Sequence, residues 1–147
     1  PCFANKQQST TPFDNIPFIR YNSIILNQNG SIMTPAMIYQ QADRAGNDAV
    51  AKLAVVPMIV KDTNSNKQWY VEDGVCGFAS IIVKPATSVF ARYLKANGLA
   101  RKHYYGGLAI YISAFNQSLQ KKEAYAYAFA RVLNENGIRA SVDSRMD

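Results

Sequence analysis

Phe90-Ala91-Arg92-Tyr93-Leu94-Lys95-Ala96-Asn97-Gly98-Leu99 returns 39 positions later as Phe129-Ala130-Arg131-Val132-Leu133-Asn134-Glu135-Asn136-Gly137-Ile138. Phe, Ala, Arg, Leu, Asn and Gly match in register, and a branched aliphatic residue follows each glycine. Both copies read as the back half of an amphipathic helix. Phe and Leu lie four apart on one face, and the glycine takes the left-handed conformation that closes the helix. Each copy follows a strand-like run, so the pair sets the expectation for the fold.

Before the first copy, Gly77-Phe78-Ala79-Ser80-Ile81-Ile82-Val83 reads as a strand stopped at Lys84-Pro85, with Thr87 or Ser88 as the helix cap. Between the copies, Leu99 to Tyr105 reads as a connection, Gly106-Gly107 as a turn and Leu108 to Ile112 as a strand. Asn116-Gln117-Ser118 then caps a helix burying Leu119, Ala126, Phe129, Ala130 and Leu133. After the second copy, alternation turns Ile138, Ala140 and Val142 to one face of a last strand. Upstream, Thr34-Pro35 is a hydroxyl cap followed by proline at the first helical position. The helix it starts is expected to weaken at Gly46-Asn47. Val55 to Val60 and Gln68 to Val71 then form a hairpin in which Pro57 requires an edge or a strand beginning.

The order arm, α, β, β, β, α, β, α, β predicts an α+β protein. More finely, it predicts a two-layer α/β sandwich whose mixed sheet carries a C-terminal βαβαβ unit, ferredoxin-like or related. Residues 34–147 are expected as a single domain, within what 147 residues allow. Residues 1–33, rich in Asn, Gln, Ser and Thr, read as an extended polar N-terminal arm docked on this domain or on a neighbouring subunit.

The formal net charge is +6 and the pI is near 9.4. Residues 84–139 hold nine Lys or Arg against two Glu, whereas residues 1–83 balance six against six. The basic character thus belongs to the half with the repeat and suggests an anionic partner. Cys2 and Cys76 fit neither a metal site nor a disulfide framework, and two free thiols in a reducing compartment are expected. No apolar run approaches the ~20 residues of a membrane helix, and residues 1–23 have no signal-peptide core. No membrane partner is expected.

From Pro57 onward the chain resembles a family of small uncharacterised proteins encoded by tailed bacteriophages. The likeness is carried by Gln68 to Ala79 (QWYVEDGVCGFA), Lys84-Pro85, Arg92-Tyr93-Leu94-Lys95, Gly98-Leu99-Ala100-Arg101-Lys102, Tyr104-Tyr105-Gly106-Gly107, Asn116-Gln117-Ser118 and Ser144-Arg145-Met146-Asp147. It is fainter back to Thr34, and the arm lies outside it. Where this chain has Ser80 the family carries an aromatic. The resemblance implies phage origin and a host bacterial cytoplasm or virion location, and brings no activity or catalytic residue.

Arg101-Lys102-His103-Tyr104-Tyr105-Gly106-Gly107 brings together cations, stacking surfaces and a backbone that permits close approach, the components of nucleic-acid contact. The plainer alternative is a solvated loop with packed tyrosines. A second anion-binding candidate is Asn116 and Ser118 at a helix start with Lys121 and Lys122 after them. Tyr127 is the one member of the aromatic run near Phe129 expected at the surface. His103 is the sole histidine, which excludes two-histidine chemistry. The acidic groupings Glu72-Asp73 and Asp143 with Asp147 give only weak grounds for a metal nuclease, and motifs for hydrolases, phosphate-binding loops, dinucleotides or zinc are missing. No catalytic residue, metal or cofactor is therefore expected. The leading expectation is a non-enzymatic protein binding nucleic acid through its basic half. The alternatives are a structural or assembly protein joining copies or other virion or host proteins through residues 1–33, and an inhibitor of a host defence protein.

Overall fold

The computed structural model describes residues 24–27 and 29–147. The chain is α+β, as the element order predicts. A short hairpin, β1 (Ile25–Leu26) and β2 (Ile32–Met33), precedes α1 (Pro35–Ala51). A second hairpin follows, β3 (Met58–Lys61) with β4 (Gln68–Val71). Then come β5 (Gly77–Val83), α2 (Val89–Ala96), β6 (Arg101–Lys102), β7 (Leu108–Tyr111), α3 (Leu119–Glu135) and β8 (Ala140–Met146).

The last four strands make one sheet in the order β6-β7-β5-β8, and all its pairings are antiparallel. A mixed sheet with a βαβαβ unit is therefore corrected to an antiparallel βαββαβ unit. The cause is β6, which sequence periodicity does not reveal. It adds a strand after α2, so β7 returns antiparallel to β5, and β5 ends between β7 and β8. That connectivity and order are the ferredoxin-like split arrangement.

The repeated motif closes both helices with the same set of bonds. Leu99 N donates to Leu94 O and Ile138 N to Leu133 O, each at 2.9 Å, across the left-handed Gly98 and Gly137. The matched asparagines also agree: Asn97 Nδ2 donates to Tyr93 O and Asn136 Nδ2 to Val132 O, each four residues back. Ser88 and Ser118 accept from backbone N-H groups at the two helix starts.

Phe90, Leu94, Phe129 and Leu133 lie fully buried in one core with Ala79, Ile81 and Val83 of β5 and Leu108 and Ile110 of β7. α1 packs on α3, and α3 on β5 and β8. Tyr39 meets Phe129 edge-on at 5.3 Å between ring centroids, and Tyr125 lies 5.7 Å from Phe129. Burial holds the phenols of Tyr39 and Tyr125 well above the usual tyrosine pKa, with Asp43 adding to both shifts. The Tyr125 hydroxyl donates to Asp43 Oδ1 at 2.5 Å.

α1 runs unbroken through Gly46, where the helix is expected to weaken. The Tyr125 ring lies against this glycine, so a Cβ there would stand 2.5 Å from Cδ2 of the ring. Gly46→Ala should therefore lower stability. The helix gains about 1 kcal/mol of propensity, but the ring, tethered through its hydroxyl to Asp43, cannot withdraw, and overpacking costs about 1–3 kcal/mol. A lower thermal midpoint in calorimetry is the expected result.

Two further expectations change. Ile25 and Met33 pack against the core, so the segment before residue 34 contributes a hairpin in cis rather than only an extended arm. Ile25–Leu26 pairs with Ile32–Met33 of its own chain. Cys76 is disulfide-bonded, not a free thiol; the expectation rested on compartment and spacing, which do not report three-dimensional proximity. Cys2 and the docking of residues 1–23 lie outside the described residues. No helix among the described residues is long and apolar enough to cross a membrane.

Candidate functional site

The structure divides the expected site residues into two groups. Arg101 and Lys102 form β6, paired with Ala109 and Leu108, and His103 to Gly107 make the turn into β7. His103 N donates to Gly107 O and Gly106 N to His103 O, closing a tight turn in which Gly106 and Gly107 both have positive φ. Gly107 is required there: a Cβ would stand 2.6 Å from Val83 O. The tip projects Tyr104 and Tyr105, 90% and 79% exposed, with rings edge-to-face at 4.9 Å between centroids. His103, beside Tyr105, is half-buried. Its Nε2 lies 3.9 Å from Asp143 Oδ2, while its Nδ1 is buried with no hydrogen-bond partner among the described residues.

The second group mostly serves the fold. Ser118 is buried, its hydroxyl donating to Asp73 O and accepting from Lys121 N. Lys121 Nζ is tied to Asp73 Oδ1 at 2.5 Å. Lys122 is buried, donates to Gly77 O at 3.1 Å, and its pKa is lowered by that burial. Asn116 is exposed with φ of 53°, and the helix cap is Ser118. The polar atoms of Ser118, Lys121 and Lys122 are thus engaged in holding the 73–77 segment on the start of α3. Gln120 completes this anchorage by exchanging two bonds of 2.9 Å with the backbone of Val56.

Strand register shows what sequence spacing could not. In β5, Ala79, Ile81 and Val83 point into the helical core, so Phe78, Ser80 and Ile82 belong to the other face of the sheet. Across β5, Ser80 pairs with Tyr111 on β7 and with Asp143 on β8, and Phe78 pairs with Arg145. Arg101 falls on this same face through Ala109, whereas Lys102, paired with Leu108, falls on the core side. One backbone bond beyond the β5–β8 pairing, Lys84 N donates to Arg139 O, and alternation places both side chains at the far end of this face. His103 reaching Asp143 brings the two edge strands, β6 and β8, within side-chain range of each other.

The floor of the face, Ser80, Ile82 and Ala109, is buried, while Phe78 and Tyr111 remain 42% and 59% exposed. The Arg145 guanidinium lies 5.3 Å and the Lys122 ammonium 5.4 Å from the Phe78 ring centroid. Arg145 stands beside Phe78, Arg101 lies on the β6 side and Lys84 with Arg139 at the far end of the same face, with Asp143 as the carboxylate among them. Among the described residues no three metal-ligating side chains cluster. Compared with family models, curated proteins and solved structures, the chain shows no match.

Proposed function

We propose that this chain is a non-enzymatic bacteriophage protein that binds nucleic acid through the β6–β7 turn and the sheet surface beside it. The observation that carries the proposal is the exposed Tyr104–Tyr105 pair on a glycine turn, reached directly from Arg101 and Lys102. Two large aromatic rings held in water at a hairpin tip make no contribution to the core, yet they offer π-faces beside cations, the combination that engages bases and phosphates. The phage assignment rests on the sequence resemblance alone. An electrophoretic shift at low salt tests the proposal: the chain should retard DNA or RNA, and Arg101→Glu with Lys102→Glu should weaken retardation at least tenfold. Retardation that is absent, or indifferent to the charge reversal, removes it.

A second reading is contact with another protein during assembly, favoured by the β3–β4 hairpin. Ile59 and Tyr70 are paired on one of its faces and Val60 and Trp69 on the other, and all four are exposed. If the hairpin joins copies of this chain, light scattering should give a dimer or larger species that Trp69→Ser returns to monomer; a monomeric native chain removes self-assembly through it.

A further inference from the structure

We infer that the ligand is single-stranded nucleic acid and that its bases stack on Phe78 and Tyr111, in the sheet face opposite α2 and α3. This rests on the nucleic-acid reading above and names the form of ligand that the site takes.

Phe78 and Tyr111 come from the two central strands, β5 and β7. Because Tyr111 pairs with Ser80, and Phe78 lies two residues back on the same face, the two are diagonal cross-strand neighbours, a separation of about 7–8 Å. Both rings stand over a buried floor of small and aliphatic side chains. A central strand of a sheet is where an aromatic residue is ordinarily covered, and these two are left with much of their surface in water.

The charges around them are arranged for a backbone, not for a point ligand. Arg145 lies at the Phe78 end, Lys84 and Arg139 at the opposite end, and Arg101 on the β6 side. Asp143 is the carboxylate among them, and it faces His103. A strand crossing the face thus meets Arg145 and the two rings at one end, Arg101 along the β6 side and Lys84 with Arg139 at the other end. Tyr104 and Tyr105 lie at the other end of β7, in the turn before Leu108, so they form a second aromatic pair beyond the Lys84 end of the face. Rings that lie on a sheet can receive only bases free of their own stack, which a duplex does not provide and a single strand does. The Arg145 guanidinium beside Phe78 is placed to cover a stacked base or move to its phosphate.

The test is fluorescence anisotropy with labelled single strands of ~12 nucleotides, one of DNA and one of RNA, and a duplex of equal length. The proteins are the full chain, Phe78→Ala, Tyr111→Ala, both together, and Phe78→Leu, which keeps the apolar bulk and removes the ring. Circular dichroism melts confirm that each variant is folded. The full chain should prefer at least one single strand over the duplex. Each alanine should weaken that binding at least about fivefold, their combination more, and Phe78→Leu should behave like Phe78→Ala. Duplex affinity should stay unchanged. If the double variant binds single strands as the full chain does, while Arg101→Glu with Lys102→Glu still weakens binding, the stacking inference is overturned and the nucleic-acid reading survives. Equal losses on duplex and single strand also overturn it. No binding of any oligonucleotide at low salt overturns both.

Discussion

Phe129→Ala is expected to lower the free energy of unfolding by about 3–5 kcal/mol, the usual cost of removing a fully buried phenylalanine ring. Phe129 has no exposed surface. Its ring meets Tyr39 from α1 and Tyr125 from its own helix, and both belong to the core cluster that includes Ile81 and Ile110 of the sheet. The cavity would open between α1 and α3, where the Tyr125 hydroxyl is already fixed on Asp43 and cannot swing in to fill it. Against a total stability of about 5–15 kcal/mol for a domain, this single change removes most of the margin at the lower end of that range. Phe90→Ala, at the matching position of the first copy, should cost less: Phe90 is 1% exposed, but its ring partner, Tyr93 at 6.2 Å, lies on the same short helix. Phe129→Leu keeps most of the volume and should cost less than about 1.5 kcal/mol. Denaturant titration at fixed pH checks all three, with an unchanged m-value showing that the native state itself is lost in one step. A cost for Phe129→Ala no larger than that for Phe129→Leu would mean that the repeated motif does not organise the core.

That motif was legible because helix ends are written locally. Thr34, Ser88 and Ser118 as caps, Pro35 at a helix start, and Gly98 and Gly137 as closures depend on residues within a turn of one another, and each acts in the expected place. What was not legible depends on distant partners. Arg101–Lys102 is a two-residue strand of two exposed cations, so no alternation betrays it; only pairing with Leu108 and Ala109 makes it one, and missing it turned an antiparallel βαββαβ sheet into a mixed one. Gly46 reads as a helix breaker until Tyr125 is seen to occupy the space that a side chain would need. At the candidate site, composition pointed to the 101–107 turn. Nothing local distinguished Lys122, buried on Gly77 O, from a solvated lysine on the same helix. Phe78 and Tyr111 are not legible in the sequence for the opposite reason: each is unexceptional within its own strand, and only the Ser80–Tyr111 register sets them side by side.

Binding is expected to weaken about 50-fold as monovalent salt rises from ~50 to ~200 mM, if Lys84, Arg101, Arg139 and Arg145 each neutralise one phosphate of a single strand at a log–log slope of about −0.7 per contact. The two kinds of contact then separate in one experiment. Arg101→Gln should make the slope shallower by about 0.7, because Arg101 shares its face with Ala109 and Ile82. Lys102→Gln should leave the slope as it is, because Lys102 pairs with Leu108 and falls on the other side of the same strand. Two adjacent cations with equal formal charge thus have opposite expected outcomes, which a general attraction to a basic protein cannot produce. Phe78→Ala and Tyr111→Ala should lower affinity at every salt concentration with the slope unchanged, since a neutral ring releases no counterion when a base stacks on it. Anisotropy titrations at four or five salt concentrations supply the slopes. Equal effects of Arg101→Gln and Lys102→Gln would show that charge alone, and not the register of β6 on β7, determines where the nucleic acid lies.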